Sequence, residues 1–324
     1  MLAIIIVCAV LASLLFLAAL LAAWIYFKVC PKLANALLDK IPPDKRDFNP
    51  DESVARPNTE EFFRKDEWYL SESWRELVEI CACDGVTLCA NSVRAETETD
   101  RWIIVMHGYR IDAREMSEFI YRFHCDGWNV LAPDQRAHGF SGGEFTTFGA
   151  LEKYDMRQWV EFIIKSNPNA KIVLFGGSMG AATVLLTTGL SLPENVKAAV
   201  SDSAFVSAAA LLKRLLKYKK IPRFPIIPLL FLYVRVRYGV DLKQTDVLSA
   251  VRRSATPTLF LHGDKDLVVP FDMLQTLYDA ASCEKQMTVC PGAQHTQGYA
   301  VNFEMYWDTV LGFVNKYVGK VNEW

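Results

Sequence analysis

Short apolar runs that alternate with amphipathic segments constrain this chain more than any other feature. The runs "WIIVMHG", "WNVLAPD", "KIVLFGG", "VKAAVSDSA", "TPTLFLHGD" and "KQMTVCPGA" are rich in Val, Ile and Leu, and each ends in small or polar residues. Between and after them lie helix-like stretches such as "REMSEFIYRFHCDG", "LEKYDMRQWVEFIIKSN" and "FEMYWDTVLGFVNKYV". Apolar strands joined by helices predict a mostly parallel central sheet flanked by helices. Ahead of them, "WRELVEICACDGVTLCANSV" alternates apolar and polar residues about Asp84-Gly85, which predicts an antiparallel hairpin. With 324 residues, the chain is long enough for one large α/β domain or two smaller ones. Ligands of such sheets gather beyond the carboxyl ends of the strands, so the polar residues closing each run are the candidates for chemistry.

The first 27 residues break this pattern. "MLAIIIVCAVLASLLFLAALLAAWIYF" holds no charged side chain. As a helix it would reach roughly 40 Å, enough to cross a bilayer with some tilt. Trp24 and Tyr26 suit an interfacial aromatic belt. The basic n-region and short apolar core of a cleaved signal peptide are both missing, so an uncleaved single-pass anchor is the expectation for residues 1–27. Lys28, Lys32, Lys40, Lys45 and Arg46 follow the span and no Lys or Arg precedes it, which places the C-terminal domain on the cytoplasmic side. A juxtamembrane stalk with five prolines is expected over residues 28–68, containing a short amphipathic helix at "PKLANALLDK". The main domain would then occupy residues 69–324. Its cysteines form no CxxC pair and read as inert core thiols. The net charge of −2 gives no sign of a nucleic-acid partner.

Four strand ends carry candidate chemistry. "KIVLFGGSMGAA" sets Ser178 in a G-x-S-x-G pattern between a strand and a helix, where a sharp turn would expose its hydroxyl. "MHGY" follows an earlier strand. The backbone amides of Tyr109 and of Met179, next to Ser178, are the candidate donors to an oxyanion, and His107 is read as shaping the loop with its side chain. "LHGDKDLVVP" holds Asp264 and Asp266, and "PGAQHTQGY" presents His295. Such a set divides its labour by acidity. A serine hydroxyl needs a base to accept its proton, an imidazole can do so near neutral pH, and a carboxylate fixes the imidazole tautomer. No His/Cys/Asp/Glu cluster has zinc spacing, and "GGSMG" lacks the Lys-Ser/Thr of a phosphate loop, so no cofactor or metal is expected.

The ordered set "VMHGY", "LAPDQRAHGFSGG", "TTFGALEKYDMRQWVEF", "GGSMGAA", "SDSAF", "LHGDKDLVVP" and "GAQHTQGY" resembles the α/β-hydrolase superfamily from about Trp74 to Val318. It is similar in particular to single-span members with a short cap. Ala137 departs from the pattern, since relatives often carry Gly there. The resemblance implies the α/β-hydrolase fold and a triad of Ser178 as nucleophile, His295 as base and Asp266 as acid, Asp266 rather than Asp264 matching H-G-x-x-D-x-x-V-P. Asp202 is the alternative acid. Asp134, Arg136, His138, Glu152 and Asp155 are expected to brace loops, and His124 and His262 to be structural.

Between about residues 205 and 243 the alternation stops, at the place where the resembled family inserts its cap. "LLKRLLKYKKIPRFPIIPLLFLYVRVRYG" contains eight Lys or Arg and no acidic residue. It reads as a cap whose apolar side lines an acyl pocket, or more pointedly as a lid resting on anionic lipid. The combined expectation is a membrane-anchored serine hydrolase of carboxylic esters, with lipid or acyl esters favoured by the apolar cap. A peptidase or amidase on the same triad is the alternative, and a non-catalytic membrane scaffold is the more distant one.

Overall fold

The computed structural model describes residues 1–40, 68, 71 and 75–319. Most of the expected stalk, residues 41–67, lies outside them. Among the described residues, eight strands form one sheet in the order β1-β2-β4-β3-β5-β6-β7-β8. The hairpin of β1 (Arg75–Cys81) and β2 (Thr87–Val93) turns at Asp84-Gly85, and β2 runs antiparallel to β4 (Asn129–Pro133). From there the sheet is parallel through β3 (Arg101–Met106), β5 (Lys171–Gly177), β6 (Val196–Asp202), β7 (Thr258–Gly263) and β8 (Lys285–Cys290). The unbroken apolar runs are explained by this arrangement: β3, β4 and β7 are buried at every position, because helices cover both faces.

Helices α3 (Ser117–Cys125) and α11 (Phe303–Val318) are on one face, where Phe119, Phe123, Tyr306 and Trp307 interlock around Phe175. On the other face, α4 (Glu152–Ser166) buries Met156, Trp159, Val160 and Ile163 against Ile104, Leu131 and Leu174. The helix after β5, α5 (Met179–Thr188), is buried along its whole length between that layer and α8 (Val247–Arg253). The cap is a pair of helices, α6 (Ala208–Tyr218) and α7 (Ile226–Tyr238). The carboxylate of Asp246 and the hydroxyl of Ser207 cap the helices that enter and leave this insertion, accepting from Ser249 N and Ala210 N.

The N-terminal segment differs from expectation in one respect. Helix α1 (Leu2–Trp24) does not give way to a stalk at residue 28; it runs through a π-helical turn, Ile25–Val29, into α2 (Cys30–Leu38). Pro31 accounts for the wider turn, since its ring clashes with the carbonyl four residues back in an unbroken α-helix. None of the residues of α1 is buried, whereas Ile25, Cys30, Ala34 and Leu38 form a buried stripe. That stripe joins the core made by Phe148, Met179, Phe231 and Val234. Leu2–Leu38 is thus one helix of the length and composition that can cross a membrane, with its inner third docked on the domain.

The cysteines also depart from the core reading. All eight are free thiols, and while Cys89 and Cys290 are buried, Cys81, Cys83 and Cys125 are exposed. Cys81 closes β1 and Cys83 begins the turn, so neither has a second layer over it.

Candidate active site at the strand ends

Ser178 occupies a strained elbow. It follows β5 and heads α5 with φ 54° and ψ −116°, a backbone state costly for a non-glycine residue and held here by its surroundings. Two close approaches explain the flanking glycines. A Cβ on Gly176 would lie 2.4 Å from the backbone of Gly180, and one on Gly180 would lie 2.2 Å from the Met106 carbonyl. The Ser178 amide donates to Asp202 O at 2.8 Å, tying the elbow to the neighbouring strand.

His295 arrives on the loop after β8. Its Nε2 is 2.7 Å from Ser178 Oγ and its Nδ1 is 2.7 Å from Asp266 Oδ2. A neutral ring with the proton on Nδ1 satisfies both contacts: Nδ1–H donates to the carboxylate and Nε2 accepts from the hydroxyl. Next to it, Thr296 N donates to Ser203 Oγ at 3.3 Å, which fastens this loop to the end of β6.

Asp266 is buried and saturated with donors. Oδ1 accepts from Val268 N and Val269 N at 2.8 Å each, and Oδ2 also faces His262 Nε2 at 3.1 Å. Burial opposes ionisation of this carboxyl, but the hydrogen bonds from His262 and His295 prevail and hold it well below the usual carboxylate range. Asp264, two residues earlier, instead accepts from Gly292 N at 2.7 Å and braces the loop.

The two amide candidates flank Ser178. Met179 is the first residue of α5, so its N–H belongs to the turn that has no intrahelical acceptor. On the other side, a Cβ on Gly108 would be 3.6 Å from Ser178 Cβ, which puts the Gly108-Tyr109 segment against the serine. The Tyr109 ring turns away, stacking on Phe148 at 5.2 Å.

The remaining candidates have structural partners. His107 is fully buried, its Nε2 accepting from Gln135 N at 2.8 Å and its Nδ1 facing Gly108 O at 2.7 Å. Asp134 accepts from Ala113 N and Phe140 N, and Arg136 holds Asp155 through two short contacts. Glu152 accepts from the Thr147 and Gly149 amides. Ala137 adopts φ 61°, the left-handed region in which glycine is unstrained. Asp202 accepts from the hydroxyls of Ser203 at 2.8 Å and Tyr306 at 2.9 Å; burial pushes its carboxyl up, and His295 Nδ1 faces Asp266 instead. His124 packs on Trp68 at 5.1 Å. His262, expected to be structural, touches the carboxylate that faces His295; a histidine inside an apolar strand leaves no pattern that reveals this.

A parallel sheet with an antiparallel edge, a nucleophile-type elbow after β5 and a carboxylate–imidazole pair after β7 and β8 define a protein class. The fold is that of the α/β-hydrolases. The model of the serine aminopeptidase S33 family matches residues 97–232. The Bacillus subtilis protein YqkD is 29% identical over 223 residues, covering 68% of this chain and 73% of YqkD. A monoacylglycerol lipase of Mycolicibacterium smegmatis is 25% identical over 244 residues, or 65% of this chain and 86% of the lipase. Among solved structures, the Pyrococcus furiosus esterase Pf2001 superposes with a TM-score of 0.63 at 27% identity, covering 76% of this chain and 94% of the esterase.

Proposed function

We propose that this chain is a serine hydrolase of carboxylic esters, held on a membrane by residues 1–27 with its domain on the cytoplasmic side. The observation that carries the reading is the continuous chain Ser178 Oγ, His295, Asp266, with 2.7 Å at each link. His295 takes the proton of Ser178 as the oxygen attacks the ester carbonyl. The amides of Met179 and Tyr109 receive the charge that develops on the carbonyl oxygen. The protonated His295 is stabilised by Asp266 and returns the proton to the departing alcohol, leaving an acyl-enzyme. Water, activated by the same imidazole, then releases the acid. No cofactor enters these steps.

The roof of the site favours an apolar acyl group. Leu212 of α6 and Phe231 and Val234 of α7 share one continuous apolar cluster with Phe148, Met179 and Phe205 of the domain beneath. The esterase and the monoacylglycerol lipase named above support ester substrates for this chain. Cleavage of amides is the second reading, favoured by the serine aminopeptidase family model and requiring only a pocket for the amine side.

Labelling with a fluorophosphonate probe tests the reading. The full-length chain in detergent should be labelled and should hydrolyse p-nitrophenyl esters of graded length, with Ser178→Ala and His295→Ala inactive. Persistence of labelling in Ser178→Ala would remove the proposal, and turnover of peptide anilides above esters would select the amidase reading.

A further inference from the structure

Helix α2 ends in a way that its own sequence does not explain. Its last carbonyls lack intrahelical donors, and its last turn holds no basic residue to complement the negative end of the helix dipole. The hydrolase domain supplies the donors instead. The carbonyl of Ala36 accepts from the Arg110 guanidinium, that of Leu37 from the Tyr109 hydroxyl at 2.8 Å, and that of Leu38 from Thr146 N at 2.8 Å. Three successive carbonyls are thus served from outside the helix. Two of the donors are neighbours in the chain, and they directly follow the glycine that packs against Ser178.

One of these two residues is held in a conformation that needs support. Arg110 has φ 64°, the left-handed region disfavoured for a non-glycine residue, and its amide donates to His138 Nε2 at 3.2 Å. Its guanidinium also lies over the Tyr109 ring, 4.9 Å from the centroid, while that ring stacks on Phe148. Tyr109 is therefore fixed at both ends, by its ring between Arg110 and Phe148 and by its hydroxyl on α2. The amide of Met179, by contrast, is fixed by the elbow itself, inside the domain. Of the two amides beside Ser178, only that of Tyr109 belongs to a loop fastened to the N-terminal helix.

We infer that α2 is a positioning element of the oxyanion loop: by accepting from Tyr109 and Arg110, it sets the backbone that carries the Tyr109 amide. This rests on the reading in which that amide receives the oxyanion. Seating of α2 depends in turn on the buried stripe of Cys30, Ala34 and Leu38, and on the Tyr238 hydroxyl lying 3.2 Å from Asn35 Oδ1 and 3.1 Å from Asp39 Oδ1. The apolar N-terminal helix is consequently part of the catalytic frame as well as a tether, and its seating is felt at Ser178.

The full-length chain in detergent micelles carries the test, through Tyr109→Phe, Arg110→Met and Arg110→Lys. Tyr109→Phe deletes one hydroxyl and retains the ring and the backbone amide. Displacing an oxyanion donor slightly costs less than deleting it, so kcat should fall about 10-fold in Tyr109→Phe and in Arg110→Met while KM stays within about 2-fold. Arg110→Lys, which still reaches the Ala36 carbonyl, should recover most of the loss. Affinity for a trifluoromethyl ketone, whose adduct carries the oxyanion, should fall in parallel with kcat, whereas affinity for the product acid should not. Unchanged kcat in folded Tyr109→Phe, or equal losses of ketone and product affinity, would overturn the inference while leaving the proposed function intact. If the unmodified chain shows no Ser178-dependent hydrolysis, the proposed function fails first, and the inference falls with it. Should Arg110→Met not fold, Tyr109→Phe decides alone.

Discussion

His262 Nε2 stands 3.1 Å from Asp266 Oδ2, the same oxygen that faces His295 Nδ1 at 2.7 Å. The proton on this His262 nitrogen also lies within reach of Val269 O at 2.9 Å. His262 thus holds the carboxylate from behind while His295 uses it in front. Asp266 cannot rotate away from His295 without giving up His262 and the two amides on its other oxygen. In the proposed mechanism that rigidity keeps the His295 tautomer fixed.

Replacing His262 by Phe preserves the ring volume and removes the donor. A hydrogen bond to a charged group contributes about 1.5 kcal/mol, so kcat should drop about 10-fold. Asp266→Asn, which disturbs the tautomer itself, should cost about 10³-fold or more. Steady-state kinetics on a p-nitrophenyl ester separates the two; equal activities of His262→Phe and the unmodified chain would show that the 3.1 Å contact does not support the carboxylate.

The ionisation of Asp266 also leaves a signature in stability. Its folded carboxyl titrates below the usual carboxylate range because His262 and His295 overcome its burial. A depressed carboxylate stabilises the fold above its unfolded value, near pH 3.9, and that stability is lost as pH falls through the lower folded value. The difference in Tm between the unmodified chain and Asp266→Asn should therefore not shrink as pH falls from about 8 to about 5, and should shrink only below about pH 4. A difference already shrinking between about pH 7 and about pH 6 would mean that Asp266 is not held ionised.

Much of this site could be read from the chain because each of its side chains closes an apolar strand. Ser178, Asp266 and His295 stand where β5, β7 and β8 end, and a parallel sheet brings such ends to one edge. What could not be read follows from how contacts are written. The seat of Tyr109 and Arg110 is two backbone carbonyls, which leave no residue pattern at positions 36 and 37. The helix expected at "PKLANALLDK" is α2, but its continuity with α1 was hidden by Lys28, Pro31 and Lys32, which resemble the end of a span. Only the buried stripe of Cys30, Ala34 and Leu38, spaced by four, signals that the segment is docked.

Two glycines in helices give opposite expectations. At Gly180, an added Cβ would meet the Met106 carbonyl at 2.2 Å and the His107 carbonyl at 2.6 Å, and neither backbone can yield without moving β3 from β5. Gly180→Ala should cost about 4 kcal/mol or more, enough to abolish folded protein. At Gly312, on α11, nothing lies within 4 Å, so Gly312→Ala should stabilise by about 0.5–1 kcal/mol. Thermal unfolding in detergent checks both, and a folded Gly180→Ala of ordinary Tm would contradict the close packing at the elbow.

Arg136 binds Asp155 through Nε at 2.7 Å and through its terminal nitrogen at 2.6 Å, with both side chains buried, and it reaches Asp84 at 2.8 Å. The asymmetry matters. Removing Asp155 leaves Arg136 with Asp84, whereas removing Arg136 leaves Asp155 buried without a cation. Arg136→Met should therefore be the more damaging, by about 3–5 kcal/mol, with Asp155→Leu milder and the double variant less damaging than Arg136→Met alone. Urea unfolding of the four forms gives the cycle; additive losses would show that the pair is not coupled.

The cap offers the last expectation, because α7 packs against the N-terminal helix. Tyr233 of α7 meets Tyr26 at 5.6 Å, so the cap sits where the N-terminal helix would leave the bilayer. Around the turn between α6 and α7 the cap exposes apolar and basic groups together: Phe224 is 80% and Tyr218 85% exposed, with Lys219, Lys220 and Arg223 between them. No acidic residue lies between Ala204 and Val240 to offset them. Such a surface suits an anionic leaflet, each basic group contributing about 1 kcal/mol near the headgroups and less as salt rises. Hydrolysis of a long-chain ester by the full chain should be faster in anionic than in zwitterionic nanodiscs, and the advantage should fade with added salt. The Lys219→Gln, Lys220→Gln, Arg223→Gln triple variant should lose that advantage yet match the unmodified chain in zwitterionic discs. A triple variant that keeps its response to anionic lipid would leave the cap as a cover for the acyl pocket alone.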